Sequence, residues 1–292
     1  MEIKPNYYDS FKCVASKCTH NCCIGWEIDI DENTLERYEN LCGEIAKELK
    51  QNISLNPTPH FVLAKDERCP FLDENNLCRL ILQGGDDMLC EICKEHPRFY
   101  NDVYGVTEKG LGLCCEEAAR VILTANEPFE LIGENLDNEF LKERLAVFSI
   151  LQNREMPLQK RIDTLLEKIG ANLNFGKTDW VSVFKNLERL DEKWDELLGS
   201  IDFITECIPE NLEVNYEHLI CYFIYRHLSG GLDDLLFKER ILFAVLSTYL
   251  IASLNKTKTL DEMIEVSRMY SAEVEYSSEN TTILLEILNG QL

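Results

Sequence analysis

The sequence is short of basic residues. Its 292 residues include 29 lysines and arginines against 52 aspartates and glutamates, which gives a formal net charge of −23. Binding to nucleic acid or to anionic lipid headgroups depends on clustered basic side chains. We therefore expect neither a nucleic-acid partner nor a membrane partner. The acidic field suits a cationic partner, such as a lysine side chain or a sulfonium, although it can also serve solubility alone.

Long hydrophobic runs are missing as well. The longest, from Ile241 to Leu254, has 14 residues, whereas a helix needs about 20 apolar residues to cross a bilayer. The first residues, MEIKPNYYDSFK, are polar and lack the apolar core of an export signal. We therefore predict a cytoplasmic protein, and we interpret 241–254 as a buried helix.

Several motifs of enzyme chemistry are absent from the sequence. The glycines of GVTEKGLGL do not follow the G-x-G-x-x-G pattern of a dinucleotide loop, and neither H-E-x-x-H nor a Ser-His-Asp pattern occurs. No series of alternating strands and helices indicates a doubly wound sheet. The sequence therefore points to no particular catalytic or cofactor-binding residue.

What the sequence does contain is cysteine, concentrated near one end. Eleven of the thirteen cysteines lie within the first 115 residues. Disulfides are rare in a reducing compartment, so we interpret this part of the chain as a metal-binding region. Its cysteines are Cys13, Cys18, Cys22, Cys23, Cys42, Cys69, Cys78, Cys90, Cys93, Cys114 and Cys115.

The cysteine spacing leaves the metal open. Thiolates at short spacing are soft ligands, and a zinc ion or an iron–sulfur cubane takes four of them. Only Cys90-x2-Cys93 has the spacing of a zinc knuckle, and the ferredoxin run C-x2-C-x2-C-x3-C-P is absent. Ten of the cysteines lie outside the helical patterns. Two metal sites, or one site with additional packing thiols, are both consistent with that number.

Two cysteine doublets add a geometric constraint. Neighbouring side chains of an extended segment point to opposite sides. We therefore expect one of Cys22 and Cys23 to bind metal, together with Cys18, while the other packs or faces a second site. The same argument applies to Cys114 and Cys115. We interpret Trp26 and His96, which lie beside these thiols in the sequence, as packing residues.

The periodicity of apolar residues predicts a mainly α protein. Residues 31–51 favour one helix with Cys42 on its apolar stripe. We predict a cysteine-rich, loop-rich metal-binding region at 1–123, with one short strand pair, packed on a helical region at 124–292. Helical patterns follow one another through the second region, at 137–153, 157–169, 179–197, 200–208, 214–228, 234–254, 259–275 and 281–288.

Four segments carry a family resemblance. FKCVASKCTHNCCIGWEIDIDENTLERY, CPFLDENNLCRL, LCEICKEHPRFY and LGLCCEEAARVIL resemble four successive blocks of the flagellin lysine-N-methylase family, in the family's order across 11–123. That family is similar in turn to a broader group of cysteine-rich domains regarded as zinc- or iron-chelating. The helical remainder, with VNYEHLICYFIYRHL, is also similar to the family's C-terminal half.

The resemblance implies an enzyme that N-methylates protein lysine side chains, with S-adenosyl-L-methionine as cofactor and flagellin as the type of substrate. It also implies an iron–sulfur cluster, preferably 4Fe-4S with zinc as the alternative, in the cysteine-rich region. In the fourth block the family has Ser-Cys-Pro-Glu where this chain has Cys114-Cys115-Glu116-Glu117, so Cys115 takes the family position. The metal-binding cysteines implied by the match are Cys13, Cys18, Cys22, Cys23, Cys69, Cys78, Cys90, Cys93 and Cys115.

Two other classes of function stay open. The chain could be a redox or metal-handling protein that stores, senses or transfers iron or zinc without methyltransferase activity. It could also be an interaction protein in which one zinc site supports a helical binding domain. Metal content separates the cluster hypotheses from the zinc hypothesis, and methylation of a co-expressed flagellin separates the enzyme from both alternatives.

Overall fold

The computed structural model describes residues 1–134, 138–173 and 175–290. The prediction of a mainly α protein is confirmed. The strands are β1 Glu2–Pro5, β2 Ile53–Ser54, β3 His60–Phe61, β4 Arg98–Val103, β5 Val106–Leu111 and β6 Leu131–Gly133. The α-helices are α1 Glu32–Glu39, α2 Glu44–Asn52, α3 Arg79–Gly84, α4 Glu91–Glu95, α5 Glu116–Leu123, α6 Glu139–Leu151, α7 Leu158–Ile169, α8 Trp180–Lys185, α9 Glu192–Gly199, α10 Glu213–His227, α11 Gly231–Asp234, α12 Phe237–Leu254, α13 Leu260–Tyr270 and α14 Ser278–Asn289.

The chain forms two compact units. The smaller one is Lys12–Arg98, and the larger one combines Met1–Phe11 with the chain from Phe99 onward. The predicted regions, 1–123 and 124–292, rest on cysteine content and stay a prediction. Contacts divide the chain at other positions because strand pairing joins the first residues to segments beyond residue 98.

The larger unit contains a four-stranded sheet in the order β4-β5-β1-β6. Strand β1 runs parallel to β5 and antiparallel to β6, with Ile3 opposite Glu108 on one side and Gly133 on the other. A buried ion pair between Glu108 and Arg144 joins β5 to α6. This sheet was not predicted. Strand β1 pairs with β5 and β6 across more than 100 residues, which leaves no local pattern, whereas the hairpin of β4 and β5, joined by Tyr104 and Gly105, was missed although it is local.

Helices α10 and α12 form the centre of the larger unit. Almost every residue of α12 is buried, which confirms the interpretation of 241–254 as a buried helix. None of the described helices combines the length and the apolar character needed to span a membrane.

Two of the predicted helices in the larger unit are wrong. The pattern at 179–197 is divided between α8 and α9, and 200–208 contains no helix. The break has a physical cause: the carboxylate of Glu273 accepts hydrogen bonds from the backbone N–H groups of Leu190 and Asp191, at 2.8 and 2.9 Å. A helix through these residues would need the same N–H groups. Residue 137, the start of the predicted helix 137–153, lies outside the described residues, and α6 covers most of the rest.

The smaller unit corrects the prediction for 31–51. Two helices, α1 and α2, occupy this segment instead of one. Gly43 lies between them with φ = 93°, a conformation that ends a right-handed helix and that glycine adopts without strain. Cys42 lies in this break and is exposed, so its assignment to the core is wrong. The strand pair β2–β3 lies in the predicted cysteine-rich region, but the prediction of a single strand pair within 1–123 is wrong, because β4 and β5 also pair there.

Candidate metal centre

Five cysteines gather in the core of the smaller unit. Cys69 and Cys90 are buried within this core, and Cys23, Cys78 and Cys93 pack against it. We call these five side chains the thiol core. They come from three of the sequence blocks that resemble the lysine-N-methylase family. The rest of the core consists of apolar side chains, chiefly Ile28, Ile30, Tyr38, Leu49, Phe61, Phe71, Leu80 and Met88.

Backbone hydrogen bonds bring the first two blocks together. The N–H of Cys69 donates to the carbonyl of Cys23 at 2.8 Å. The chain then turns, with the N–H of Leu72 bound to the carbonyl of Cys69 at 3.0 Å, and Leu72 forms an isolated β-bridge with Cys78. Cys78 is the N-cap residue of α3. These contacts hold Cys23, Cys69 and Cys78 at neighbouring positions.

The third block places two thiols at the start of α4. Cys90 is the N-cap residue and Cys93 lies in the first turn, so that their Sγ atoms are 3.3 Å apart. Two contacts, one from the N-cap residue of α1 and one from α1 itself, position this helix start. The N–H of Glu91 donates to the Asp31 carboxylate at 2.8 Å, and the Tyr38 hydroxyl donates to the carbonyl of Met88 at 2.6 Å.

Electrostatics distinguishes the members of the thiol core. The hydrogen bond between Cys90 and Cys93 lowers the pKa of Cys90 and raises that of Cys93. Burial raises the pKa of Cys69 to about 11. The hydrogen bond with Cys22 raises the pKa of Cys23, and burial and the nearby Cys69 and Cys78 raise it further. Neighbouring thiols thus oppose the ionisation of Cys23, Cys69 and Cys93, and a bound cation would remove that repulsion.

The first cysteine doublet splits between the core and the surface. Cys23 packs against the thiol core, while Cys22 is exposed. Asn21 Oδ1 accepts a hydrogen bond from the Cys23 N–H at 2.9 Å, and Trp26 Nε1 donates to the Cys22 carbonyl at 2.5 Å. The two side chains differ in burial, but the extended geometry assumed for this doublet is wrong. The N–H of Ile24 donates to the carbonyl of Asn21 at 3.2 Å, so Cys22 and Cys23 lie in a turn and their thiols hydrogen-bond to each other. The hydrogen bond with Cys23 lowers the pKa of Cys22 to about 7.

Four of the nine cysteines named from the sequence lie outside the thiol core. Cys13 and Cys22 are exposed, and Cys18 is half-buried. Cys115 belongs to the larger unit, where it is the N-cap residue of α5. The structure thus brings together five of the nine, Cys23, Cys69, Cys78, Cys90 and Cys93.

His96 is a further candidate donor. Its ring lies 6.2 Å from that of Trp26, and its buried Nε2 has no hydrogen-bond partner among the described residues. Burial lowers the pKa of His96 to about 4, so the imidazole is neutral at pH 7. A neutral imidazole with an unpaired nitrogen has the chemistry of a metal ligand. The signal in the sequence was its position three residues after Cys93.

The thiol core is not a closed site for one ion. In the part of the chain that the structure describes, no three His, Cys, Asp or Glu side chains converge closely enough to hold a metal ion. The core is rich in soft donors, with more thiols than the four that a zinc ion or a cubane takes.

Comparison with known proteins gives partial matches. A lysine-N-methylase from Salmonella typhimurium (strain LT2) is 27% identical over 139 residues, which cover 43% of this chain and 32% of that protein. The lysine-N-methylase of Salmonella choleraesuis (strain SC-B67) matches to the same extent. The flagellar biosynthetic protein FliU of Salmonella muenchen is 31% identical over 133 residues, 43% of this chain and 77% of FliU. No protein-family model and no solved structure matches the chain.

The matches cover different shares of the related proteins. The chain spans about a third of the length of the curated lysine-N-methylases, at 32%, but more than three quarters of FliU, at 77%. At 31% identity over that share of FliU, homology is shown. The chain therefore belongs to the family of the lysine-N-methylases and the flagellar protein FliU.

Proposed function

We propose that this protein N-methylates lysine side chains of a protein substrate, with S-adenosyl-L-methionine as the methyl donor. The observation that carries the proposal is the homology to proteins named lysine-N-methylase and FliU. The second name is that of a flagellar protein, so flagellin is the substrate that we propose. The formal net charge of −23 supports the choice, because an anionic protein attracts a lysine-bearing substrate and a sulfonium cofactor.

The thiol core is the proposed site of an iron–sulfur cluster. Four of its five cysteines would supply the thiolates that a 4Fe-4S cubane takes. The donor chemistry fits, because the ligands are soft and their mutual repulsion is relieved by metal. A bound cluster supplies redox-active, Lewis-acidic iron.

The lysine substrate sets a requirement on the protein. Lysine has an ordinary pKa of about 10.4 and is protonated at neutral pH, whereas only the neutral amine can attack a methyl group. The protein must therefore desolvate the amine or offer it a base. It must also hold the amine in line with the sulfonium methyl.

A second function is supported by the thiol core alone. A protein that stores, senses or transfers iron or zinc needs clustered soft donors and no lysine site. The thiol core would serve this function without any contribution from the larger unit. Because the chain spans only 32% of the lysine-N-methylases, we keep metal handling as the alternative.

Two measurements test the proposal. Protein purified without oxygen is analysed for iron, sulfide and zinc and by absorption spectroscopy, and we expect iron and sulfide in near-equal amounts. Co-expression with a flagellin, followed by mass spectrometry, is expected to show lysines that have gained a methyl group. Colourless protein that carries zinc alone contradicts the cluster. Cluster-loaded protein that leaves flagellin unmodified favours the metal-handling function.

The control for both measurements is a pair of matched variants in the smaller unit. Cys90→Ser removes a buried member of the thiol core, whereas Cys42→Ser removes an exposed thiol outside it. We expect loss of iron from the first variant and wild-type iron content in the second.

A further inference from the structure

Two members of the thiol core are in direct contact. The Sγ atoms of Cys90 and Cys93 are 3.3 Å apart. The two sulfurs of a disulfide are separated by about 2.0 Å, so these atoms need to approach by only about 1.3 Å to form a bond. Small rotations about the two Cα–Cβ bonds supply a movement of that size. The pair is therefore placed for oxidation as well as for metal binding.

The local fold explains why these two thiols meet. Cys90 is the N-cap residue of α4 and has an extended backbone, whereas Cys93 is the third residue of the helix. The side chain of an N-cap residue turns toward the third helical residue, which is the geometry that lets serine and threonine cap a helix. A Cys-x2-Cys spacing at a helix start therefore puts both thiols on the same side of the first turn.

Hydrogen bonds hold the backbone on both sides of the pair. Arg37 donates to the carbonyl of Leu89 at 3.0 Å, just before Cys90. The N–H of Lys94 donates to the carbonyl of Cys90 at 3.0 Å, which closes the turn that contains both cysteines. Groups that are held at contact distance react without the entropy cost of a bimolecular encounter. The disulfide can therefore form without unfolding the turn.

The adjacent pair Cys22 and Cys23 is less suited to a disulfide. A trans peptide bond joins these two residues, and it fixes their Cα atoms about 3.8 Å apart. The Cα atoms of disulfide-linked cysteines are usually separated by about 4.4–6.8 Å. A bond within the doublet is therefore strained, and the structure favours Cys90 and Cys93.

Exposure assigns an order to the two thiols of the favoured pair. Cys90 is 0% exposed, whereas Cys93 is half-buried. Thiol–disulfide exchange requires access to the sulfur that is attacked, so an oxidant from solution meets Cys93 first. Cys90 lies behind it, at a distance from which it can attack the Sγ atom of Cys93.

We propose that Cys90 and Cys93 are a redox-active dithiol, which a low-molecular-weight disulfide such as glutathione disulfide converts to an intramolecular disulfide. The Cys93 thiolate attacks one sulfur of the oxidant, and the first glutathione leaves as its thiolate. The Cys90 thiolate then attacks the Sγ atom of Cys93 in the mixed disulfide, and the second glutathione leaves. The two cysteines lose two electrons and two protons, and the oxidant takes them up as two molecules of glutathione.

The disulfide withdraws two of the five thiols of the thiol core. The remaining three, Cys23, Cys69 and Cys78, are one short of the four thiolates that a cubane takes. Oxidation and cluster binding therefore compete for the same thiols. The inference goes beyond the proposed methylation, because it needs neither the methyl donor nor a lysine substrate. Its test is therefore independent of the outcome for that function.

The test uses the full chain, stripped of metal with a chelator, reduced, and then freed of reductant without oxygen. It is incubated with glutathione disulfide and denatured in N-ethylmaleimide, which labels the thiols that remain. Trypsin cleaves after Arg79 and Lys94, so Cys90 and Cys93 fall in one peptide, 80–94, that contains no other cysteine. We expect this peptide to be lighter than the reduced peptide by two hydrogens and to carry no label.

Variants separate the roles of the two thiols. Cys90→Ser is expected to retain a glutathionyl group on Cys93, because the thiol that displaces it is gone. Cys93→Ser is expected to leave Cys90 without a glutathionyl group, because Cys90 is buried. Cys42→Ser, which removes an exposed thiol outside the thiol core, is expected to form the disulfide like wild type. The wild-type peptide decides the proposal even if a variant does not fold.

Three results would overturn the proposal. The first is a wild-type peptide 80–94 that carries two labels after incubation with the oxidant. The second is a glutathionyl group that stays on Cys93 of the wild type without closure of the disulfide. The third is a glutathionyl group on Cys90 in Cys93→Ser, which contradicts the assigned order.

Discussion

A buried carboxylate in the larger unit offers a sharp test of how this fold is held together. Glu275 lies at the end of a π-helical turn, Ser271–Glu275, and its side chain is fully buried. It accepts hydrogen bonds from the Tyr222 hydroxyl at 3.1 Å and from His227 Nε2 at 2.6 Å. Arg226 Nε lies 3.3 Å from the same carboxylate. We predict that Glu275→Gln strongly destabilises the larger unit.

The magnitude follows from what the substitution leaves behind. Glutamine keeps the shape and can accept from Tyr222, so packing and one hydrogen bond survive. Arg226 loses its countercharge while its guanidinium stays between the rings of Phe99 and Tyr276, at 4.7 and 4.8 Å. Removing one partner of a buried ion pair costs about 3–5 kcal/mol. A typical domain has a free energy of unfolding of only about 5–15 kcal/mol.

The assay must report on the larger unit alone. Trp26 lies in the smaller unit, whereas Trp180 and Trp194 lie in the larger one. Urea unfolding is therefore followed by tryptophan fluorescence in a Trp26→Phe background, and the slope of each transition is compared to check two-state behaviour. The control is Glu265→Gln, which breaks the partly exposed ion pair with Arg268 at 2.8 Å. We expect a loss below about 1 kcal/mol for the control.

Acid provides a second arm of the same test. Although burial opposes ionisation, Arg226 and His227 hold the pKa of Glu275 below its usual value of 4.5. The stability that the charge contributes is therefore complete above pH 4.5 and is lost as the pH falls through the folded-state pKa. The difference between wild type and Glu275→Gln should shrink over that range. A Glu275→Gln variant as stable as Glu265→Gln at pH 7 would refute the reasoning.

Three further predictions concern the smaller unit. Gly43→Ala should lower the free energy of unfolding of the smaller unit by about 1 kcal/mol, because φ = 93° strains any residue with a Cβ. The measurement is urea unfolding followed by the fluorescence of Trp26, and an unchanged midpoint contradicts the prediction. Removal of bound metal by a chelator should lower the thermal unfolding temperature of wild type, because the crowded thiols lose their countercharge, and should leave that of Cys90→Ser unchanged. His96→Phe should retain iron, because the thiol core has more than four thiols and the phenyl ring keeps the packing on Trp26; loss of iron would contradict this and identify the imidazole as a ligand.

Local sequence patterns predicted many of the helices in the larger unit. The apolar periodicity located α6, α7, α10, α12 and α14 to within a few residues, because each buries one face or all of its faces. The periodicity gave a wrong prediction where a side chain distant in the sequence interrupts a helix. The carboxylate of Glu273 ends the pattern at 179–197 by binding two backbone N–H groups more than 80 residues away in sequence. Nothing within that segment encodes the interaction.

The sequence by itself determined the kind of chemistry available to this protein. Thirteen cysteines, eleven of them in the first 115 residues, predict metal ligation by thiolates. The charge balance predicts that the protein has no partner that needs a basic surface. These predictions depend only on composition.

Only the tertiary structure decided which thiols meet. It places Cys23, Cys69, Cys78, Cys90 and Cys93 in one core, leaves Cys13 and Cys22 exposed, and assigns Cys115 to the other unit. The deciding contacts, such as the hydrogen bond from Cys69 to Cys23, join residues far apart in the chain. Which residues form these contacts depends on how the chain closes on itself and on the burial of a shared hydrophobic core. The spacing of the cysteines in the sequence specifies neither.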